Sequence, residues 1–275
     1  MAAQTFTDDH YNTLYGDQAS TLYQTLRAAS YGEEWGQAGW SHSSEIDLFL
    51  SWLPLNSETA LLDFGCGAGG VSLRAAVTSG CRVHGIDISE QGIANAQLSA
   101  ENLNLHNRVT FAVADVGQPS QLPSEQFDLL ICMDAITDMP NRPKLLADWY
   151  QTLKPGGIAL YVDCLVMAGQ LNSSELSIRS GTGYNVYTPQ GVNEQMIANA
   201  GFTLLRSEDA TDGLIAVADG WVKARDRHAA ELIAIEGQLR FDQDQTFHRL
   251  AVKLAQERRV LRTAFLIQKP VALSK

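Results

Sequence analysis

Five short apolar runs, each separated from the next by a helix-like stretch, leave this chain few folds to choose from. From about residue 60 the runs are "TALLDFG", "CRVHGIDIS", "RVTFAVAD", "FDLLICMD" and "GIALYVDCLV". Between them lie "GGVSLRAAVTSG", "SEQGIANAQLSAENLN" and "NRPKLLADWYQTLKPGG". Strands that alternate with helices build βαβ units, so the expected class is α/β, a doubly wound parallel sheet with helices on both faces. Ser89 is a natural N-cap for the helix after the second run, and Pro155-Gly156-Gly157 should end the helix before the fifth. Past residue 168 the pattern reads helix ("TPQGVNEQMIANAG"), strand ("FTLLRSEDA"), two longer helical stretches at about 213–236 and 244–260, and a last strand "RTAFLIQKP". Upstream, "SHSSEIDLFLSWL" is a packing helix capped by Ser43 or Ser44. The expected organisation is an N-terminal helical lid over residues 1–57 and a main domain over 58–275, with a helical insertion at about 211–260 before the last strand.

With 275 residues, 45% of them hydrophobic, the chain can bury a full core. Its net charge of −11 opposes non-specific binding to nucleic acid or an anionic membrane surface, so a small-molecule partner is expected. The N-terminal residues "MAAQTFTDDHYNTLYG" do not read as a secretory signal, and no apolar stretch reaches the ~20 residues of a membrane span. A cytoplasmic location follows as an expectation, and with it reduced cysteines. Cys66, Cys81, Cys132 and Cys164 show none of the close pairings of a zinc site and read as small buried hydrophobes.

Inside the first unit, "LLDFGCGAGG" has the form strand, bare turn, helix. Glycines let the backbone turn sharply and approach a ligand, and the following helix offers unpaired N–H groups. Gly65, Gly67 and Gly70 satisfy G-x-G-x-x-G while Gly65, Gly67 and Gly69 satisfy G-x-G-x-G, so the glycines alone leave NAD(P) and S-adenosylmethionine both open. Asp63 favours the second, because a carboxylate beneath the turn would face a pyrophosphate but tolerates a cationic, phosphate-less nucleoside. Asp87 is placed to accept hydrogen bonds from ribose hydroxyls, and Asp115 from an adenine amino group. Acids that end successive strands converge on the crevice where open α/β sheets bind ligands.

Over roughly residues 58–165 the chain resembles the class I S-adenosylmethionine-dependent methyltransferases. "LLDFGCGAGG" is similar to their first motif, "VHGIDIS" and "VAD" to the second- and third-strand acids, "FDLLICMDAITDMP" to the fourth strand, and "LKPGG" to the turn before the fifth. The last strand is similar to the antiparallel seventh strand of this Rossmann-like fold. The resemblance is greatest to the small-molecule branch that includes ubiquinone/menaquinone and sarcosine-type enzymes, where an N-terminal segment like "EEWGQAGW" folds over the cofactor. It implies methyl transfer from S-adenosyl-L-methionine, leaving S-adenosyl-L-homocysteine, to N, O or C of a small metabolite, and is compatible with a homodimer. It further implies that Asp63, Gly65, Cys66, Gly67, Asp87, Ile88, Asp115, Val116, Met133 and Asp134, with Tyr15 and Trp35 from the lid, hold the cofactor. An NAD(P)-dependent oxidoreductase and a non-catalytic adenosyl-binding module are the alternatives.

Shielding a methyl group from water suits aromatic faces, so Tyr11, Tyr15, Tyr23, Tyr31, Trp35 and Trp40 form a candidate lid, with Trp40 on the acceptor. Asp138 is the candidate to orient or deprotonate the acceptor, and Tyr184 and Tyr187 in "GTGYNVYTP" are candidates to cover it. Trp221 and His228, seven apart on a helix, read as a packing face, and His84 as a core histidine. No metal site is expected, since Cys164 stands where a catechol-type metal ligand would be. Replacing Asp87 with alanine is expected to weaken cofactor binding far more than folding stability. Unaltered affinity for S-adenosylhomocysteine in calorimetry would remove Asp87 from the site.

Overall fold

The computed structural model describes residues 11–16, 20–115, 124–181 and 185–271. A helical segment at 11–16 is followed by α1 (Thr21–Tyr31) and α2 (Ser43–Ser51). The alternating part then runs β1 (Ala60–Phe64), α3 (Gly70–Ser79), β2 (Arg82–Asp87), α4 (Glu90–Asn102), β3 (Val109–Val113) and β4 (Phe127–Met133). A 3-10 turn at Ala135–Asp138 leads into α5 (Arg142–Thr152), β5 (Leu153–Met167), α6 (Ser173–Arg179), the two-residue β6 (Thr188–Pro189) and α7 (Val192–Asn199). The chain closes with β7 (Thr203–Asp209), α8 (Thr211–Arg227), α9 (Ala229–Gln256) and β8 (Val260–Gln268).

The sheet order is β3-β2-β1-β4-β5-β8-β7, with β6 paired to β5. The first five strands are parallel, and β8 inserts antiparallel between β5 and β7, as the sequence resemblance implied. Alternation along the strands sorts the core into two layers. Leu61, Ile131 and Leu160 pack on the side of α2, α3 and α4, with Phe49, Leu73 and Ile93. Leu62, Leu130 and Tyr161 face α5 and α7, with Trp149 and Ile197. The outer strand β7 is exposed along its length and carries charges at Arg206, Glu208 and Asp209, which discourage edge-to-edge pairing. Among the described residues, no helix is long and apolar enough to cross a membrane.

Three local expectations are corrected. The Pro155-Gly156-Gly157 turn does not separate helix from strand. α5 already ends at Thr152, and β5 absorbs the three residues as a bulge, with Gly156 at φ 81° and the pairing to β4 shifting between Phe127 and Leu129. The cap of α2 is His42, whose Nδ1 accepts from Ser44 N, because Ser43 is already inside the first turn. The inserted helices divide at His228, and helical geometry is interrupted again at Gly237 (φ 80°, ψ 157°), where the break after 236 was expected, but it resumes at once rather than at 244. Ser89 caps α4 as expected, its Oγ accepting from Gly92 N.

Besides its ladders to β5 and β7, β8 is tied to elements beyond them by one buried side chain. Arg262 is fully buried, its Nε and Nη2 gripping the two oxygens of Asp134 (2.7 and 3.2 Å) just past β4. Nη1 reaches Glu45 in α2 (2.7 Å), and Nη2 also donates to Ser41. Removing one partner of such a pair leaves an uncompensated buried charge. Asp134→Ala is expected to lower folding stability by about 3–5 kcal/mol. A urea denaturation curve showing a loss below about 1 kcal/mol, within the range of ordinary surface changes, would contradict this.

Candidate functional site

At the C-terminal end of β1 the chain turns through Gly65, Cys66 and Gly67. Gly65 N and Cys66 N both donate to Ile86 O (2.9 and 3.0 Å), pulling the turn against β2. Gly67 must be bare for a second reason besides its φ of 52°: an added Cβ would sit 2.1 Å from the Tyr15 hydroxyl. A Cβ on Gly70, the first residue of α3, would stand 2.6 Å from the carbonyl of Trp35. The glycine cluster therefore receives the aromatic N-terminal segment.

These elements open onto one cavity of about 1400 Å³. Its strand-end wall carries Asp63, Asp87, Asp115 and Asp138, and no basic side chain among the described residues. Asp87 is braced on both oxygens, Oδ2 accepting from Gly67 N (2.8 Å) and Oδ1 from Ser89 N (2.9 Å). Its replacement by alanine thus also releases two backbone donors, a folding cost that the sequence alone did not reveal. Burial pushes the Asp87 carboxyl up, against those hydrogen bonds. Asp63 lies beneath the turn and accepts from Ser72 Oγ (2.6 Å), and burial, helped by the charge of Asp87, raises its pKa to about 7.

Gly65, Cys66, Ile88, Met133 and Asp134 also line the cavity, as expected of them. The oxygens of Asp134, however, are held by Arg262 and by Trp40 N (2.7 Å), at a left-handed φ of 62°. Asp134 therefore serves first to anchor the Gly39–Trp40 backbone over the sheet. Val116 and Tyr184 lie outside the described residues.

The lid assignment divides. Tyr11, Tyr15, Tyr23, Tyr31 and Trp40 line the cavity. The helical segment 11–16 is fastened to α4: Asn12 Oδ1 accepts from Ser89 Oγ (2.8 Å), and Asn95 Nδ2 donates to Tyr15 O (2.8 Å). Trp35 does not line the cavity. It packs outward on the α2–α3 side under Arg74, 5.3 Å from its ring, and bonds Glu33, because the turn at Gly36 directs the next residues inward instead. Tyr187 is likewise a packing residue, set against the Cys164–Leu165–Leu214 cluster. Trp221, expected only to pack, is a wall residue too, edge-on to Tyr31 and stacked on His248 (5.6 Å). Its helix lies across the cavity and packs against α1.

Asp138 sits at the end of the 3-10 turn, where Tyr11 donates to it (2.5 Å) and Asn185 donates to its other oxygen (2.9 Å). Burial raises its pKa to about 6, while the same burial, with the Asp138 charge next in effect, keeps the Tyr11 phenol protonated. Asn185, Arg179, Phe247 and His248 line the same space and were not singled out from sequence. Asn185 lies in "GTGYNVYTP", which was read only for its tyrosines, and 62 or more residues separate Phe247 and His248 from Arg179 and Asn185. Only the fold brings them together. His248 Nδ1 donates to Asp244 O (2.7 Å), and burial holds the ring neutral, with a pKa of about 3. Asp163, fully buried, is occupied by Arg142 and Asn193. His84 stacks on Phe127 and bonds Thr110, but it is half-buried rather than in the core.

A methyltransferase-domain family model matches residues 55–198, which hold the glycine turn and all four strand-end acids. The chain belongs to the methyltransferase-domain family. Phosphoethanolamine N-methyltransferase 1 of Zea mays is 31% identical over 169 residues, covering 62% of this chain but 33% of that protein. The 27-O-demethylrifamycin SV methyltransferase of Amycolatopsis mediterranei is 29% identical over 184 residues, 66% of each. The chain spans only 33–38% of the length of four plant phosphoethanolamine N-methyltransferases that it matches. In fold, the cyclopropane synthase MmaA2 of Mycobacterium tuberculosis superposes with a TM-score of 0.83 at 19% identity, covering 96% of this chain and 98% of that one.

In this methyltransferase domain, Asp63 makes stability depend on pH in a defined direction. A carboxyl whose folded pKa (about 7) exceeds its unfolded value favours the fold while protonated, and that contribution is lost as pH rises from about 4 through 7. Asp63→Asn is expected to melt near the wild-type temperature at pH 5 and above it at pH 8. Calorimetric scans giving the same difference at both pH values would contradict the assignment.

Proposed function

We infer that the chain moves the methyl group of S-adenosylmethionine to a nitrogen, oxygen or carbon of a small molecule enclosed in the cavity. The observation that carries this reading is the braced Asp87 beside the bare Gly65–Gly67 turn, on a wall whose charged groups are all acids. That donor set fits a cationic nucleoside without phosphates and repels a pyrophosphate, which disfavours the NAD(P) alternative. When bound, the cofactor supplies an electrophilic methyl group on a sulfonium.

The residues of the chain do the rest. Asp87 offers its outer lone pairs to ribose hydroxyls, and Asp115 is placed for the adenine edge. Tyr15 closes over Gly67, and Tyr31 and Trp40 exclude water on the far side. Asp138, held by Tyr11 and Asn185, orients the acceptor and takes its proton when the acceptor has one to lose. Alignment and desolvation supply most of the acceleration in a displacement of this kind. The relatives' names include a phosphoethanolamine N-methyltransferase, a 27-O-demethylrifamycin SV methyltransferase and a sterol 24-C-methyltransferase, in keeping with N, O or C as the accepting atom.

Transfer of radiolabelled methyl from S-adenosylmethionine into a metabolite mixture tests the reading against a binding module without activity. S-adenosylhomocysteine against NADH, titrated by calorimetry, tests the cofactor. With an acceptor in hand, the rate should rise with pH through about 6 as Asp138 ionises. Asp138→Asn is expected to lower kcat about 100-fold or more and to remove that rise, with little change in cofactor affinity. An Asp138→Asn enzyme with an intact kcat and the same pH profile would remove Asp138 from the chemistry.

A further inference from the structure

Against the acidic strand-end wall stand the chain's buried arginines, and among those described one differs from the rest. Arg27 is paired with Glu34, Arg74 with Asp47 and Glu33, Arg142 with Asp163, Arg225 with Glu236 and Asp244, and Arg262 with Asp134 and Glu45. Arg179 is 3% exposed, and no carboxylate lies within ion-pair distance of it among the described residues. Its Nε and Nη1 are buried without a hydrogen-bond partner. Arginine stays charged even where burial lowers its pKa, as it does here. The fold therefore holds an uncompensated cation in a chain of net charge −11, although burying such a charge alone is costly.

Its surroundings account for the side chain's position but not for its charge. The guanidinium lies over the rings of Phe247 (4.6 Å) and Trp40 (5.4 Å). Aromatic faces attract a cation but accept none of the in-plane N–H bonds. Position in the last turn of α6 favours positive charge, yet no backbone carbonyl accepts from Nε or Nη1. Ser177, Ile178, Arg179 and Gly181 bring that turn onto the cavity wall, in the same space as Asp138 and Asn185. A guanidinium on the cavity wall, set against two adjacent rings and without a carboxylate partner among the described residues, is suited to a planar or tetrahedral oxyanion.

We propose that the methyl acceptor is an acid, and that its carboxylate or phosphate group pairs with Arg179 beside Trp40 and Phe247. The acceptor's other end then faces Asp138. Naming this ligand the acceptor rests on the methyl-transfer reading, but the anion site itself does not. The charge also explains selection: a protein of this net charge repels anions at long range, so a dedicated buried cation is what admits one.

The test titrates the full chain with benzoate, phenyl phosphate and neutral benzamide, read by calorimetry and tryptophan fluorescence. One of the two anions should bind about tenfold or more tightly than benzamide, the better one telling a carboxylic acid from a phosphate ester. Arg179→Met should lose that preference, and Arg179→Lys should keep part of it. Affinity for S-adenosylhomocysteine should stay within about twofold in both variants, since Arg179 is outside the strand-end wall. The melting temperature of Arg179→Met should equal or exceed that of wild type, because an unpaired charge has been removed. Equal binding of benzamide and both anions to wild type overturns the proposal without recourse to a variant, and so does undiminished anion binding by Arg179→Met. If wild type ignores S-adenosylhomocysteine yet binds anions through Arg179, the methyl-transfer reading fails and the anion site stands.

Discussion

The buried guanidinium of Arg262 holds together the parts from which the site is made. It joins the strand that closes the sheet to the residue that ends β4, to α2, and to the loop carrying Trp40. Asp134 relays this hold in two directions, gripping Arg262 on one side and Trp40 N on the other. A charge–hydrogen-bond cluster of this kind stabilises only when complete, which is why one geometry is chosen for the N-terminal segment. The left-handed Asp134 backbone is a local strain maintained by that same cluster.

Upon this frame the cavity acquires two unlike walls. Strand ends contribute carboxylates, since the parallel strands all point the same way and Asp63, Asp87 and Asp115 lie at or next to the ends of three of them. The covering helices contribute rings and arginines, as Tyr31, Trp221, Phe247 and Arg179 do. A cationic nucleoside suits the first wall and an acidic acceptor the second.

Local chemistry made the sheet half legible from the start. Each strand is a β-branched or apolar run, each helix has its own cap or stop, and the glycine turn needs only its neighbours Asp63 and Asp87 to suggest a cofactor. Errors came where a residue's environment lies far along the chain. Trp35 and Trp40 look equivalent in "EEWGQAGW", but Gly36 and the Asp134–Trp40 bond send one outward and the other inward. Ser43 looked like a cap until His42 was seen to hold that position, and Pro155-Gly156-Gly157 looked like a terminator because a bulge in a buried strand has the same composition as a turn.

By itself, then, the sequence determined a doubly wound sheet with an acid-rimmed glycine turn, because periodicity, capping and backbone freedom act over a few residues. Tertiary structure decided which aromatics enclose the ligand space, that Asp87 is braced by Gly67 and Ser89, and that Arg179 alone among the buried arginines described here lacks a carboxylate. The physical reason is separation: Arg262 meets Asp134 across 128 positions and Glu45 across 217, and no local pattern encodes a partner that only chain closure supplies.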